Sequence, residues 1–176
     1  KIFDERVNIV EDPLVETSVY YNPFDDEGVA TKKKHLIKDG VFTGFAHNLK
    51  TAKALKQDLT GNGYNKSVDF AYTYLENGDT PLEDLIKGID KGLLITNLQG
   101  LHSGLNPISG DFSLQSSGFY IEGGKIVKPT SLIVTSGNFF EMMNDIDKIG
   151  SDLELRNESS VNAPSVKFNG LQVSGE

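Results

Sequence analysis

Two dipeptides of the type that tight hairpins favour each separate a pair of strand-like stretches, and this recurrence constrains the fold most. Asp39-Gly40 lies between His35-Leu36-Ile37-Lys38 and Val41-Phe42-Thr43-Gly44-Phe45. Gly123-Gly124 lies between Phe119-Tyr120-Ile121-Glu122 and Lys125-Ile126-Val127. Both dipeptides tolerate positive φ at both central positions, as a type I′ turn requires, and that turn suits the twist of antiparallel strands. Val7-Asn8-Ile9-Val10 alternates before Asp12-Pro13 and reads as a strand. Ser131 to Thr135 predicts another, and Ser165 to Val173 one more, while Asn62 to Ser67 and Asn157 to Pro164 read as loops.

Three helices interrupt the strands. Leu49, Ala52, Ala54 and Leu55 predict a short one over 49–57. Thr80-Pro81-Leu82-Glu83 has the pattern of a capping box with proline at the first helical position, predicting a helix to about Lys91. From Asn138, the residues Phe139, Phe140, Met142, Met143, Ile146 and Ile149 recur at helical spacing up to Gly150, predicting a third. Strands, hairpins and helices without βα alternation define an α+β chain, antiparallel and hairpin-rich, barrel- or sandwich-like.

Length and composition narrow the class. The chain has 176 residues, 38% hydrophobic and 24% charged, which suits a single domain over 1–176 with a sizeable core. No apolar run reaches the roughly 20 residues of a membrane span. With no cysteine the chain has neither disulfides nor thiolate metal sites, and it fits a reducing compartment. A net charge of -8 argues against direct binding to nucleic acid. The basic run Lys32-Lys33-Lys34 reads as a solvated strand edge.

Gly100 to Ser113 is the most specified stretch in terms of chemistry. It places His102, Ser103, Asn106, Ser109 and Asp111 among three glycines and a proline, too polar for core and too particular for a spacer. Loops of this kind, held by rigid strands, often carry binding or catalysis. The residues invite a Ser/His/Asp reading, but there is no Gly-x-Ser-x-Gly elbow, and Asn106, Ser109 and Asp111 suit a loop that satisfies its own backbone. His35, His47 and His102 have no metal-ligand spacing, Asp25-Asp26-Glu27-Gly28 lacks the spacing of a calcium loop, and Gly61-Asn62-Gly63 lacks a phosphate loop's ending. On residues alone, this is an α+β domain with one over-specified loop and no complete catalytic set.

The same loop closely resembles the carboxy-terminal part of the TldD/PmbA family, also called the modulator-of-DNA-gyrase family. Gly118-Phe119-Tyr120-Ile121-Glu122-Gly123-Gly124-Lys125-Ile126 is similar to its "G-F-x-I-E-x-G-x-I" segment. Gly137-Asn138-Phe139-Phe140 and Ile149-Gly150-Ser151-Asp152-Leu153 resemble its "G-N... G-x-D" helix. Phe24-Asp25-Asp26-Glu27-Gly28 and Thr60-Gly61-Asn62-Gly63 match "D-D-E-G" and "T-G-N-G". The resemblance covers essentially the whole chain and implies a role in peptide maturation or proteolysis.

The family's two branches pair as a TldD–TldE heterodimer, and the TldD branch holds a metal with a His-Glu-x-x-x-His helix and a later cysteine. Neither element has a counterpart in these residues, and the "S-G-D-F-S" loop resembles the PmbA/TldE branch. The resemblance therefore implies a domain with no metal or cofactor of its own and not catalytic alone, its amino-terminal domain absent from this sequence. Its partner would be a TldD-like subunit carrying a metal, expected to be zinc, and its substrate a peptide or unfolded protein. The expected setting is the cytoplasm, with no membrane or direct nucleic-acid contact, and a homodimer is allowed in isolation. His102, Ser103, Asn106, Ser109 and Asp111 are the candidate substrate- or partner-binding residues. Two rival readings are a stand-alone serine-type hydrolase using His102, a serine and Asp111, and an interaction module linked to gyrase or toxin–antitoxin control.

Overall fold

The computed structural model describes residues 1–175. Its first elements are β1 (Ile9–Glu11), β2 (Lys34–Lys38), β3 (Val41–Phe42), α1 (Leu49–Leu55), β4 (Gly63–Tyr64), β5 (Ser67–Val68) and β6 (Thr73–Leu75). Then come α2 (Leu82–Lys87), β7 (Lys91–Gln99), α3 (Leu101–Gly104), β8 (Asp111–Glu122), β9 (Lys125–Asn138), α4 (Phe139–Met142) and β10 (Ile146–Ile149). The last are β11 (Val161–Asn162), β12 (Val166–Phe168) and β13 (Gln172–Ser174). Among the described residues β6 and β11 pair in parallel and the other strand pairs are antiparallel. The chain is α+β, and among the described residues no sheet closes into a barrel.

Contacts gather into two compact units, each made of two chain segments. The first unit takes Lys1–Asn77 and Leu153–Pro164. Its sheet runs β11-β6-β1-β2-β3. Val10 and Tyr72 are fully buried in its core, with Tyr74 beside them and Val15, Tyr20 and Leu153 packed against the cluster. Each large apolar side chain buried this way contributes about 1.5–3 kcal/mol. Asp39 and Gly40 close the β2–β3 hairpin with φ of 50° and 70°, as a type I′ turn requires. Helix α1 begins at Asn48, whose side chain caps the Thr51 amide while Thr51 caps Asn48 in return.

One charge sits in the middle of this sheet. Glu11 is wholly buried. Its carboxylate pairs with the Lys34 ammonium at 2.8 Å and accepts from Asn62 Nδ2 at 2.9 and 3.0 Å. A buried carboxylate is tolerable only with such partners. Nearby, Asp25 accepts from the amides of Glu27, Val29 and Gly63. Asp25-Asp26-Glu27-Gly28 and Thr60-Gly61-Asn62-Gly63 are thus stitched into one bracket.

The second unit takes Gly78–Asp152 and the chain from Ser165. Its main sheet runs β13-β9-β8-β7, with β10 and β12 as a separate pair. The long β8–β9 hairpin turns at Gly123-Gly124, with φ of 56° and 72°. Leu114, Ile121 and Ile133 are buried along it.

Several elements depart from expectation. The helix predicted from Asn138 to Gly150 is a single turn, α4, followed by strand β10. The ladder slips between Ile146 and Lys148, so both Ile146 and Ile149 turn inward. A bulge therefore gives a strand the three-residue apolar spacing of a helix. Helix α2 stops at Gly88, and Thr80 does not cap it: its hydroxyl donates to Asp79 instead. The stretch Ser165 to Val173 splits into β12 and β13, which join different sheets. Asn62 to Ser67, read as a loop, holds most of the miniature β4–β5 hairpin, and Asn157 to Pro164, also read as a loop, contains β11. The elements β6, β7 and α3 are unforeseen as well.

Candidate functional site

The segment Gly100–Ser113 joins β7 to β8 and takes in the first three residues of β8; the pairing of the two strands begins at Gln99 opposite Gln115. Gly100, at φ 82°, turns the chain out of β7 into the one-turn helix α3. Leu105 bridges Phe112, and the Asn106 amide donates to the Asp111 carbonyl at 2.9 Å. The hairpin is thereby closed a second time above its base. Residues 106–110 form the tip, closed by the Gly110 amide donating to the Asn106 carbonyl at 2.8 Å. Gly110 has φ 80°, and a Cβ there would lie 2.5 Å from the Phe140 ring, so this position admits only glycine without rearrangement.

The polar side chains hold the tip. Asn106 Oδ1 accepts from the amides of Ile108 at 2.9 Å and Ser109 at 3.2 Å, an Asx turn. Ser109 Oγ donates to Asp111 Oδ2 at 2.8 Å. Asn138, paired with Asp111 across the β8–β9 ladder, donates through Nδ2 to the Ser109 carbonyl at 2.8 Å and to Asp111 Oδ1 at 2.9 Å. Its Oδ1 meanwhile caps α4 by accepting from the amides of Phe140 and Glu141. One amide thus joins the tip to a helix start. The Asn138 amide, followed by the Ser109 hydroxyl, holds the Asp111 carboxyl below the usual carboxylate range. Asp111 stays an anion and an acceptor at neutral pH.

Of the five residues expected to act, Asn106, Ser109 and Asp111 come together in this brace. Ser103 and His102 lie apart from it on α3, with Ser103 Oγ donating back to the Gly100 carbonyl at 3.3 Å. His102 is exposed and makes no hydrogen bond to a serine or to Asp111 among the described residues. Ser109 therefore has a carboxylate but no imidazole to take its proton, and the arrangement is not a triad. The residue that sequence reasoning left out of the site is Asn138. The available signal was the co-occurrence of Ser109-Gly110-Asp111 with Gly137-Asn138 ahead of an apolar run.

Beside the brace lies a cleft of about 360 Å³, lined among others by Asp111, Asn138, Glu141, Met142, Asp145 and Phe168. Its oxygens can accept hydrogen bonds, and it contains neither a histidine nor a cation. Ile108 stands at the tip with 90% of its surface exposed. Elsewhere, His35 faces Glu76 at 3.6 Å and His47 is buried beside Thr51. No three side chains of the metal-binding types converge among the described residues.

The family model described as the PmbA/TldA metallopeptidase C-terminal domain matches residues 1–175. A metalloprotease PmbA homolog of Buchnera aphidicola (strain APS) is 37% identical over 177 residues, covering 99% of this chain and 37% of the relative. The metalloprotease PmbA of Escherichia coli O157:H7 is 30% identical, covering 100% of this chain and 37% of its own length. The chain thus spans little more than a third of these relatives. Among solved structures, a Thermotoga maritima protein described as a candidate modulator of a DNA gyrase superposes with a TM-score of 0.91 at 36% identity. It covers 98% of this chain and 40% of that protein. TldE of Thermococcus kodakarensis superposes with a TM-score of 0.89 at 30% identity, covering 99% and 41%.

Proposed function

The chain belongs to the PmbA/TldD metallopeptidase family, as its carboxy-terminal domain, and from that premise we propose that it is the PmbA/TldE-like, non-metal-binding element supporting a TldD-type metallopeptidase. The pair works on peptides or unfolded protein in the cytoplasm, in peptide maturation or proteolysis. The metal, zinc, resides in the TldD-like partner. Likeness to TldE and to PmbA homologs supports this reading.

The observation that carries it is the braced tip. Asn106, Ser109 and Asp111 are engaged with Asn138 and with one another, leaving Ile108 exposed on a turn that cannot easily collapse. A bulky apolar side chain held out on a rigid support is a good anchor, because little conformational entropy remains to be lost on docking. His102 and Ser103, exposed on the turn of helix that precedes the tip in sequence, complete the proposed binding set.

The test is to co-purify this chain, within its full-length protein, with a TldD-like protein and to assay peptide cleavage. A stable complex is expected, with cleavage stopped by a chelator. Ile108→Asp should weaken the complex by about tenfold or more. Cleavage by this chain alone, lost in His102→Ala and indifferent to chelator, would overturn the reading.

A further inference from the structure

The first unit carries a second surface that the reading above does not use. Residues 29–57 contain seven lysines and a single acid, Asp39, within a chain whose net charge is -8. Lys33 and Lys34 are engaged with Asp12 and Glu11. Lys50, Lys53 and Lys56, on and just after α1, are exposed and form no ion pair among the described residues.

Next to these cations is a hollow of about 470 Å³ lined by Gly44, Phe45, His47, Leu55, Gln57, Asp58 and Thr60. Phe45 is 76% exposed and Leu55 62% exposed, the two bulky apolar members of that lining. Phe42 packs edge-on against Phe45 with ring centroids 5.0 Å apart, which holds the ring in place. The floor is fixed as well: the His47 amide donates to Thr60 Oγ1 at 2.7 Å, and Thr60 Oγ1 donates to Asn62 Oδ1 at 2.8 Å.

We propose that this hollow and the α1 lysines form a docking site for an acidic protein segment bearing one bulky apolar side chain. The occupant follows from two features. Concavity suits an inserted side chain and not a flat bilayer, whose headgroups would meet a surface without a pit. Three lysines that form no ion pair among the described residues, beside an aromatic wall, complement carboxylates that flank such a side chain. The one acid held at the start of α1, Glu27, is engaged with the Leu49 amide. Asp58 in the lining is the one opposing charge, and it sets the direction: the acidic flank lies over α1, away from Asp58.

The experiment uses a short fluorescein-labelled peptide with glutamates around a single central phenylalanine. Anisotropy is read against the whole chain. Saturable binding is expected, weakened by at least about tenfold in Lys50→Glu/Lys53→Glu/Lys56→Glu and in Phe45→Ser. Binding should also fall as salt rises from about 50 mM to about 500 mM. All these positions are exposed, so circular dichroism should match the parent. Thermal melting should fall only slightly, because Lys53 and Lys56 lie at the carboxy-terminal end of α1, where acids oppose the helix dipole. The proposal is overturned by no saturation up to about 1 mM peptide. Equal binding of the peptide with lysines in place of glutamates also overturns it. So does a dimer abolished by Phe45→Ser, since a second copy then covers the face. Capture of phosphatidylserine vesicles without peptide binding rejects it in favour of a membrane.

Discussion

Tyr64 shows how much one buried hydroxyl can report. Its oxygen is shielded from solvent and makes no hydrogen bond among the described residues. Burial, and after it the charges of Glu11, Asp25 and Asp26, pushes the phenol up to about 12. An unfolded tyrosine ionises near pH 10. The neutral phenol's contribution to stability is therefore complete below about pH 10 and is lost as pH rises from there through about 12. Tyr64→Phe should be neutral or stabilising by up to about 1 kcal/mol at pH 7, since it removes an unsatisfied buried group. It should also flatten the alkaline decline, measured as urea stability against pH. Identical alkaline slopes in the two proteins would show that Tyr64 is not the group responsible. The same scale explains why the candidate loop was only half legible. Asn106, Ser109 and Asp111 announce themselves by type and proximity, whereas Asn138 lies 27 residues from Asp111 and joins them only through the β8–β9 register.

At the scale of the element, strand β9 contains a stored cost. Between Ser116↔Ile133 and Gly118↔Thr130 the pairing slips, leaving Ser131 and Leu132 opposite Ser117. Leu132 takes φ 59° there with 76% of its surface exposed. A side chain in that left-handed region costs about 1–2 kcal/mol, and exposure returns little of it. Leu132→Gly should therefore stabilise the chain by up to about 1 kcal/mol after the entropic cost of glycine. Leu132→Ala, which keeps the Cβ, should not. Chemical denaturation of the three proteins decides, and equal behaviour of Gly and Ala would mean no strain resides at this bulge. Bulges also account for what the sequence left hidden. The hairpins at Asp39-Gly40 and Gly123-Gly124 were readable because turn chemistry is local. Strand β10 was not, because a bulge near Asp147 converts period two into the spacing of a helix.

For the molecule as a whole, the decisive fact is that each unit is built from two separated segments. The first unit needs β11 on the outer side of β6, Leu153 against its core and the Arg156 carbonyl for the Tyr72 hydroxyl. A fragment of residues 1–77 lacks all three. It should fail to give a cooperative thermal transition, and adding residues 153–164 through a short flexible linker should restore one. A sharp melt of 1–77 alone would show that the returning segment is dispensable. During synthesis the same threading dictates a timetable. The first unit must wait, with its sheet edge unpaired, until the β7–β10 region has left the ribosome. The second then waits in turn for the strands after Ser165. Neither half can finish before the other is nearly made, so exposed strand edges persist through most of the synthesis of these residues, and that interval is when they are most open to chaperones and to mispairing.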